Sequence, residues 1–438
     1  MRFVRPSRRA HVALSTLSIL AALLAFAPVR LVAQDTTTRG VRIGLSYDPS
    51  GKPGVVVLPV SGVNVDSLEA IVARDLDFGD RVNVIVLDAA SAGAATRSSI
   101  PNWALLAKLG AAAAVQVTPT PTGMHVAIYN VATKQTARIR DYPAPPTRQA
   151  RAWRAAVHAM SDDIEMALTG ARGIAATRVM FERGGRLWVV DSDGEQLTAL
   201  ATAATPGSSE WSPDGRSIVY NTYSPSQVVV QAIGGRERVV AAGSGVYISP
   251  VFAPDGFSVV YAHGVDDGVD IYSVPATGGT PRRISVGRGS DNVSPSFSPD
   301  GRRIAFMSGR AGHPEIYTMD ADGTNADLLT PLDIGESAYR ASPDWSPDGR
   351  QVAFQSRIGG TFQVMTVSLR DRGLKQLTSD GSNEDPSWAP DGRHLVFVST
   401  RGGSRQLWVL DAESGRTRQL TRGAPVRLPA WSPRLAGD

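Results

Sequence analysis

Between residues 345 and 377 apolar positions fall in short alternating runs, with Val352 and Phe354 in one and Phe362 to Val367 in the next, bounded by Gly, Pro or Asp. Alternation over so few residues marks half-buried strands. The stretch predicts an inner strand at Asp344 to Ser346, a Pro347-Asp348-Gly349 turn, a second strand at Gln351 to Gln355, a third at Phe362 to Val367 and a fourth near Leu374 to Leu377. Proline presets φ, aspartate can accept from its own downstream amides, and glycine takes positive φ, so each turn residue has a role. The same order recurs as Ile304 to Met307, Glu315 to Met319 and Leu328-Leu329, and as Leu395 to Val398, Gln406 to Leu410 and Thr417 to Leu420.

The repeat is long. An aromatic residue, a small residue and proline return at Trp211, Phe252, Phe297, Trp345, Trp388 and Trp431, at spacings of 41, 45, 48, 43 and 43, and the first five continue as Pro-Asp-Gly. A period in the forties carrying four short strands is the signature of a β-propeller. Three strands, Arg178 to Phe181, Arg186 to Val190 and Gln196 to Leu200, precede the first such turn, and a lone inner strand at Pro429 to Pro433 ends the chain. The last strand therefore completes the blade the first three begin, giving six blades with no long open edge.

Residues 40 to 170 have another rhythm. They predict strands at Val55 to Val60, Val82 to Leu87, Ala113 to Thr118, His125 to Val131 and Thr136 to Tyr142, and helices at Asp66 to Asp77, Asn102 to Leu109 and Thr147 to Leu168. Asp66 suits a helix cap, and Trp153, Val157, Met160, Ile164 and Leu168 form one helical stripe. The fold class is thus an α/β N-terminal domain followed by an all-β six-bladed propeller, divided as 34–169, a linker at 170–177 and 178–438.

Up-and-down strands put the Pro-Asp-Gly turns on one face and the second hairpins and blade links on the other. The turns are nearly uniform, whereas the links vary in length and charge, and variable loops on a rigid scaffold are where binding sites lie. Position alone nominates Tyr247, Asn292, Ser294, Tyr339, Arg340 and Glu384 on that face, with apolar Val246 and Val293 among them.

Composition changes the picture at the N-terminus. Arg2, Arg5, Arg8 and Arg9 precede an apolar run from Val12 to Ala27, a secretory signal peptide expected to end near residue 33. The formal charge of +4 includes five arginines and no acid from residues 1–33, so the remainder stands at −1. Such a chain gives no reason to expect nucleic acid as a partner. With no cysteine there is neither disulfide nor lipid attachment by that residue.

Candidate chemistry is sparse. Similar propellers precede the catalytic domains of prolyl-oligopeptidase-like peptidases, yet no Gly-x-Ser-x-Gly elbow occurs and Gly243-Ser244-Gly245 reads as a blade link. His263 and His313 fall on the face opposite His394, too spread to hold one ion as in a propeller lyase. His158 lies beside the helical stripe and suits packing or interdomain hydrogen bonding. Asp191-Ser192-Asp193-Gly194 and Asp320-Ala321-Asp322-Gly323 begin like calcium loops but lack the later ligands, so hairpin turns are expected. No cofactor, metal or catalytic residue is expected.

Four segments carry a family resemblance: Gly40-Val41-Arg42-Ile43 with Pro53 to Pro59; Trp103-Ala104 with Leu109-Gly110-Ala111 and Val117-Thr118-Pro119; Leu168 to Gly173 continuing to Thr177-Arg178-Val179; and Pro429 to Pro433. Together they resemble the TolB family of the Tol-Pal system over nearly all of the chain beyond the leader. The resemblance implies a non-enzymatic, monomeric periplasmic adaptor whose propeller mouth docks a peptidoglycan-associated lipoprotein. It further implies that the tail bearing Val41, Arg42 and Ile43 engages a TolA-like inner-membrane protein, supporting outer-membrane integrity and constriction at division. Membrane association would then be through protein partners only. Ala175 departs from the family, standing where the hinge usually has an aromatic residue. The rival readings are a secreted propeller-type hydrolase or lyase, or a propeller surface protein with an unrelated ligand.

Overall fold

The structure, a computed structural model, describes residues 51–60, 66–95, 100–146, 150–202, 204–265, 268–285, 290–331 and 339–435. The leader and the tail residues Val41, Arg42 and Ile43 lie outside them.

Six four-stranded antiparallel sheets form the propeller. Blades I to V occupy 206–242, 246–283, 292–328, 340–376 and 383–419, and blade VI joins Arg427–Trp431 to the three strands of 178–199. The register there pairs Trp431 with Val179 and Ala430 with Met180. Ser432 reinforces it, its amide donating to the Arg178 carbonyl at 2.8 Å and its hydroxyl accepting from the Arg178 amide at 2.9 Å.

Every seam between blades is filled by its own apolar cluster, and the repeated aromatic residue is the wedge. Trp345 packs with Ile316, Phe354 and Val367 across blades III and IV, and Trp431 with Val179, Val396 and Val409 across V and VI. Blade packing, not ligand stacking, accounts for these rings. Burying each such side chain contributes roughly 1.5–3 kcal/mol, so the ring is held by its seams as much as by its last strand.

The N-terminal part is a five-stranded sheet of β1 (Gly54–Val57), β2 (Asn83–Val84), β3 (Ala113–Thr120), β4 (Gly123–Asn130) and β5 (Gln135–Pro143) in the order β2-β1-β3-β4-β5. Helices α1 (Asp66–Phe78) and α4 (Ala150–Thr169) cover one face, and α2 (Ala89–Ala95) and α3 (Trp103–Lys108) the other. Asn102 caps α3, accepting from the Leu105 amide at 3.2 Å. The expected second strand shrinks to two residues, and α2 was not foreseen, because its Ala- and Gly-rich sequence has no apolar period.

Helix α4 is buried on two sides. Its predicted stripe, Val157, Met160, Ile164 and Leu168, packs on the sheet and α1. A second stripe of polar residues, Arg154, His158, Asp162 and Glu165, follows the same helical spacing and meets the Pro-Asp-Gly face of blades V and VI. The α/β part thus sits on that face, and the opposite face carries no other element among the described residues.

Candidate functional site

Each inner strand runs from the open face toward the Pro-Asp-Gly face, and the six together enclose a channel of about 480 Å³. Near the open end Ser249, Ser294, Ser342, Asp385 and Leu428 occupy equivalent positions, each followed by proline and each at φ between 51° and 53°. The register against the next strand slips at each of these sites, a β-bulge. A left-handed residue before proline is strained by roughly 1–3 kcal/mol. Five such residues in a ring turn the strand so that Ser, Asp and Leu side chains rim the bore.

One layer deeper, side chains stitch neighbouring blades. The Asp344 carboxylate accepts from the Trp388 amide at 2.7 Å and from the Ser296 hydroxyl at 3.2 Å, and the hydroxyls of Ser296 and Ser387 accept from the amides of Trp345 and Trp431, each at 3.0 Å. Desolvation in the narrow bore pushes the Asp344 carboxyl up to about 6, against those bonds. Glu210, on the far side of the ring, is pushed up to about 8 by desolvation and by the Asp344 charge. The bore thus favours the protonated form of Glu210 more than that of Asp344, and the described residues that line it include no histidine, lysine or cysteine.

Around the mouth, three of the six nominated contact residues turn inward. Asn292 is buried, donating to Asp270 at 3.1 Å and accepting from Ser308 at 2.8 Å. Arg340 is buried against Glu315 at 3.0 Å, and Tyr247 lies under the surface stacked on His263 at 4.2 Å. The reason is a polar knot that recurs at one spacing. Asp270, Glu315, Gln363 and Gln406 each accept from a Ser or Thr fifteen residues on, namely Ser285, Thr330, Thr378 and Thr421, whose hydroxyl also accepts a strand amide. Asn292, Arg340 and Asn383 plug three of these knots from the next inner strand. That constant spacing was legible in the sequence and points to buried, not contacting, side chains.

Tyr339 is exposed and meets Phe362 edge-on at 5.6 Å, Ser294 lines the channel, and Glu384 is half-buried, accepting from Arg405 at 2.9 Å. Sequence position missed the rest of the rim. Tyr223, Val265 and Ile358 are exposed on the same face in second hairpins, beside Val246, which sequence position had placed there. Arg183, Arg310 and Arg401 stand over aromatic pairs of their own blades at 4.8–5.9 Å, and Arg310 and Arg401 are further pinned to Asn292 and Asn383 at 3.1 Å each. Guanidiniums stacked on rings keep their charge at fixed places around the mouth.

The Pro-Asp-Gly face is built otherwise. In blades I, III and IV the turn aspartate accepts from the preceding serine at 2.6 Å and from the amide two residues on, as in Ser298, Asp300 and Arg302. The same position in blade V, Asp391, holds His394 at 2.8 Å and Arg81 of the α/β part at 3.1 Å, which together keep its carboxyl well below the usual range despite burial. Nearby, Arg416 binds Asp77 at 2.6 Å and Asp80 at 3.2 Å, and Arg418 lies 4.0 Å over Phe78. Segment 170–177 is clamped, because Asp162 accepts from the Ala175 and Ala176 amides at 2.7 and 3.1 Å. Ala175 itself is buried, its carbonyl accepting from Ser192 at 2.9 Å. The segment is thus held by side chains that bond its backbone groups.

Residues 166–435 match the family described as TolB beta propeller domain, PD40. The Tol-Pal system protein TolB of Legionella pneumophila strain Corby is 32% identical over 105 residues, covering 21% of this chain and 25% of that protein, and the strain Paris protein gives the same figures. The aligned stretch therefore spans a quarter of those relatives' length. TolB from Acinetobacter baumannii superposes with a TM-score of 0.74 at 23% identity, covering 87% of this chain and 96% of the other. A chain of a nidogen/laminin complex superposes at 0.50 with 11% identity, covering 59% of this chain and all of the other. At such identities the likeness is one of fold, and the propeller alone does not name a partner.

Proposed function

The chain belongs to the TolB β-propeller domain family, and from that membership we propose that it is a binding component of a Tol-Pal-like system in the periplasm. In this reading the open mouth docks a peptidoglycan-associated lipoprotein. The tail around Val41, Arg42 and Ile43 engages a TolA-like inner-membrane protein, adding to a sheet edge of its partner. Cleavage near residue 33 delivers the protein, and 34–169, 170–177 and 178–438 serve as domain, linker and propeller. The work is adhesion, supporting outer-membrane integrity and constriction.

The observation that carries the reading is a mouth over which no described element lies. The α/β part meets the other face at blades V and VI, and no described element lies over the strained Ser, Asp and Leu rim, the pinned arginines and the exposed Tyr339 and Ile358. Exposed aromatic and arginine side chains at a rigid concave mouth are the usual composition of binding hot spots. Among the described residues that line the channel, the serines have no histidine or lysine beside them of the kind that activates a nucleophile. No helix among the described residues is long and apolar enough to cross a membrane, in keeping with attachment through partners.

The test is a pull-down from detergent-solubilised envelopes with residues 34–438 as bait and a second bait lacking 34–45. Retention of an OmpA-like lipoprotein by both baits, and of a TolA-like protein by the longer one alone, is the expected result. Capture of neither would leave the fold without this role.

A further inference from the structure

Where α1 and α4 meet the third hairpin of blade VI, His158 is buried with both ring nitrogens facing carboxylates. Nδ1 lies 2.8 Å from Asp75 Oδ2 on α1, and Nε2 lies 3.7 Å from Asp193 Oδ2 on the propeller. A neutral ring can donate only to Asp75, leaving Nε2 without a hydrogen-bond partner. The imidazolium adds a charge that attracts Asp193 at ion-pair distance. We propose that His158 is a proton-operated latch between the α/β part and the propeller, holding Asp193 when protonated and loosening it when neutral.

The surroundings are all charged. From α1 come Arg74 and Asp75; from α4, Arg154; from blade VI, Asp191, Asp193 and Arg178, which binds Asp191 at 3.1 Å; and from blade V, Arg418, which donates to the Ser192 carbonyl at 2.7 Å. Arg74 and Arg154 both bind the Asp193 carboxylate, so this cluster is filled by guanidiniums and is not a metal site. Burial and Arg154 act against a charged ring, but the Asp75 charge and hydrogen bond, then Asp193, outweigh them and raise its pKa. Asp193 belongs to the propeller and Asp75 does not, so undocking removes one of the two carboxylates that favour the cation together with the burial that opposes it, and the latch works to the extent that the Asp193 attraction exceeds that burial penalty. Each unit by which the ring's pKa is higher when docked weakens docking about tenfold from the acid to the alkaline end. The signal lay in the sequence as Asp193 in a turn and His158 beside an apolar stripe, and only the fold brings them together. The latch is independent of which partner occupies the mouth.

The chain has no cysteine, so spin labels at Thr136→Cys and Arg236→Cys, both exposed, report the separation of the two parts in the full mature protein. Electron-electron distance measurements should give one narrow distribution near pH ~6 and a second, broader population near pH ~9 that reverses on acidification. Asp162 and Glu165 titrate at the same interface, so His158→Gln should cut the pH-dependent change sharply without erasing it, whereas Glu165→Gln should keep most of it. An unchanged transition in His158→Gln, or none in the wild type, overturns the latch. Should His158→Gln not fold, ring NMR of the wild type decides: titration above the ordinary value of about 6.5 supports it, and titration at or below that value overturns it.

Discussion

The two faces of this propeller are made from one repeat and do opposite things. On the Pro-Asp-Gly face the repeat is kept and its members differ by what lies on them: Asp300 and Asp348 bond within their own turns, while Asp391 at the same position holds His394 of its own blade and reaches across to Arg81 of the α/β part. On the open face the links diverge, and apolar and arginine side chains stand exposed. A residue's role here is set by which surface covers it. Position in the repeat alone does not tell.

The largest expected effect breaks the covered face. Arg81→Ala leaves Asp391 and Glu165 buried without their guanidinium and should cost about 3–5 kcal/mol in urea unfolding. Arg302→Ala, beside the equivalent but exposed turn of blade III, should stay within about 0.5 kcal/mol. Equal losses would erase the distinction between the turns.

Next is the clamp on segment 170–177. Asp162→Ala orphans the Ala175 and Ala176 amides, at a cost of about 1–3 kcal/mol. Amide exchange at those two residues should speed up before any change in the blades.

Acidity should sharpen the same contrast. Desolvation raises Asp162 to about 7 and Glu165 to about 8. A carboxyl whose folded pKa is raised keeps its proton after the unfolded chain has lost it, so stability falls with rising pH from the ordinary carboxylate range up to those values. The urea midpoint should therefore decline from about pH 4.5 to about pH 8, and Glu165→Gln should flatten the upper part of that decline.

How much of this was legible follows from where the physics is local. The strands, the turn chemistry and the closing strand were read from alternation and the return of aromatic-small-proline, because both are set by near neighbours. The α4 stripe was read from its period, and the polar stripe of Arg154, His158, Asp162 and Glu165 was overlooked, since a charged face ordinarily means solvent. The bulged left-handed residues were unreadable, because Ser-Pro locally favours extended backbone and only ring closure imposes the strain. For that reason the inner strand expected at Asp344 to Ser346 in fact runs from Arg340 to Trp345. Asn292 and Arg340 were placed on the correct links but on the wrong side of them, their burial being decided by partners fifteen or more residues away.

The smallest effect on stability, and the most direct test of the central claim, comes from the open face. A Tyr339→Ala, Ile358→Ser bait and a Phe257→Ser bait should each fold within about 0.5 kcal/mol of wild type, since all three side chains are exposed, the first two at the mouth and Phe257 beside a Pro-Asp-Gly turn. In quantitative envelope pull-downs the account predicts that the mouth variant loses the lipoprotein while Phe257→Ser retains it. Loss with Phe257→Ser and retention with the mouth variant would put the partner on the other face and contradict it.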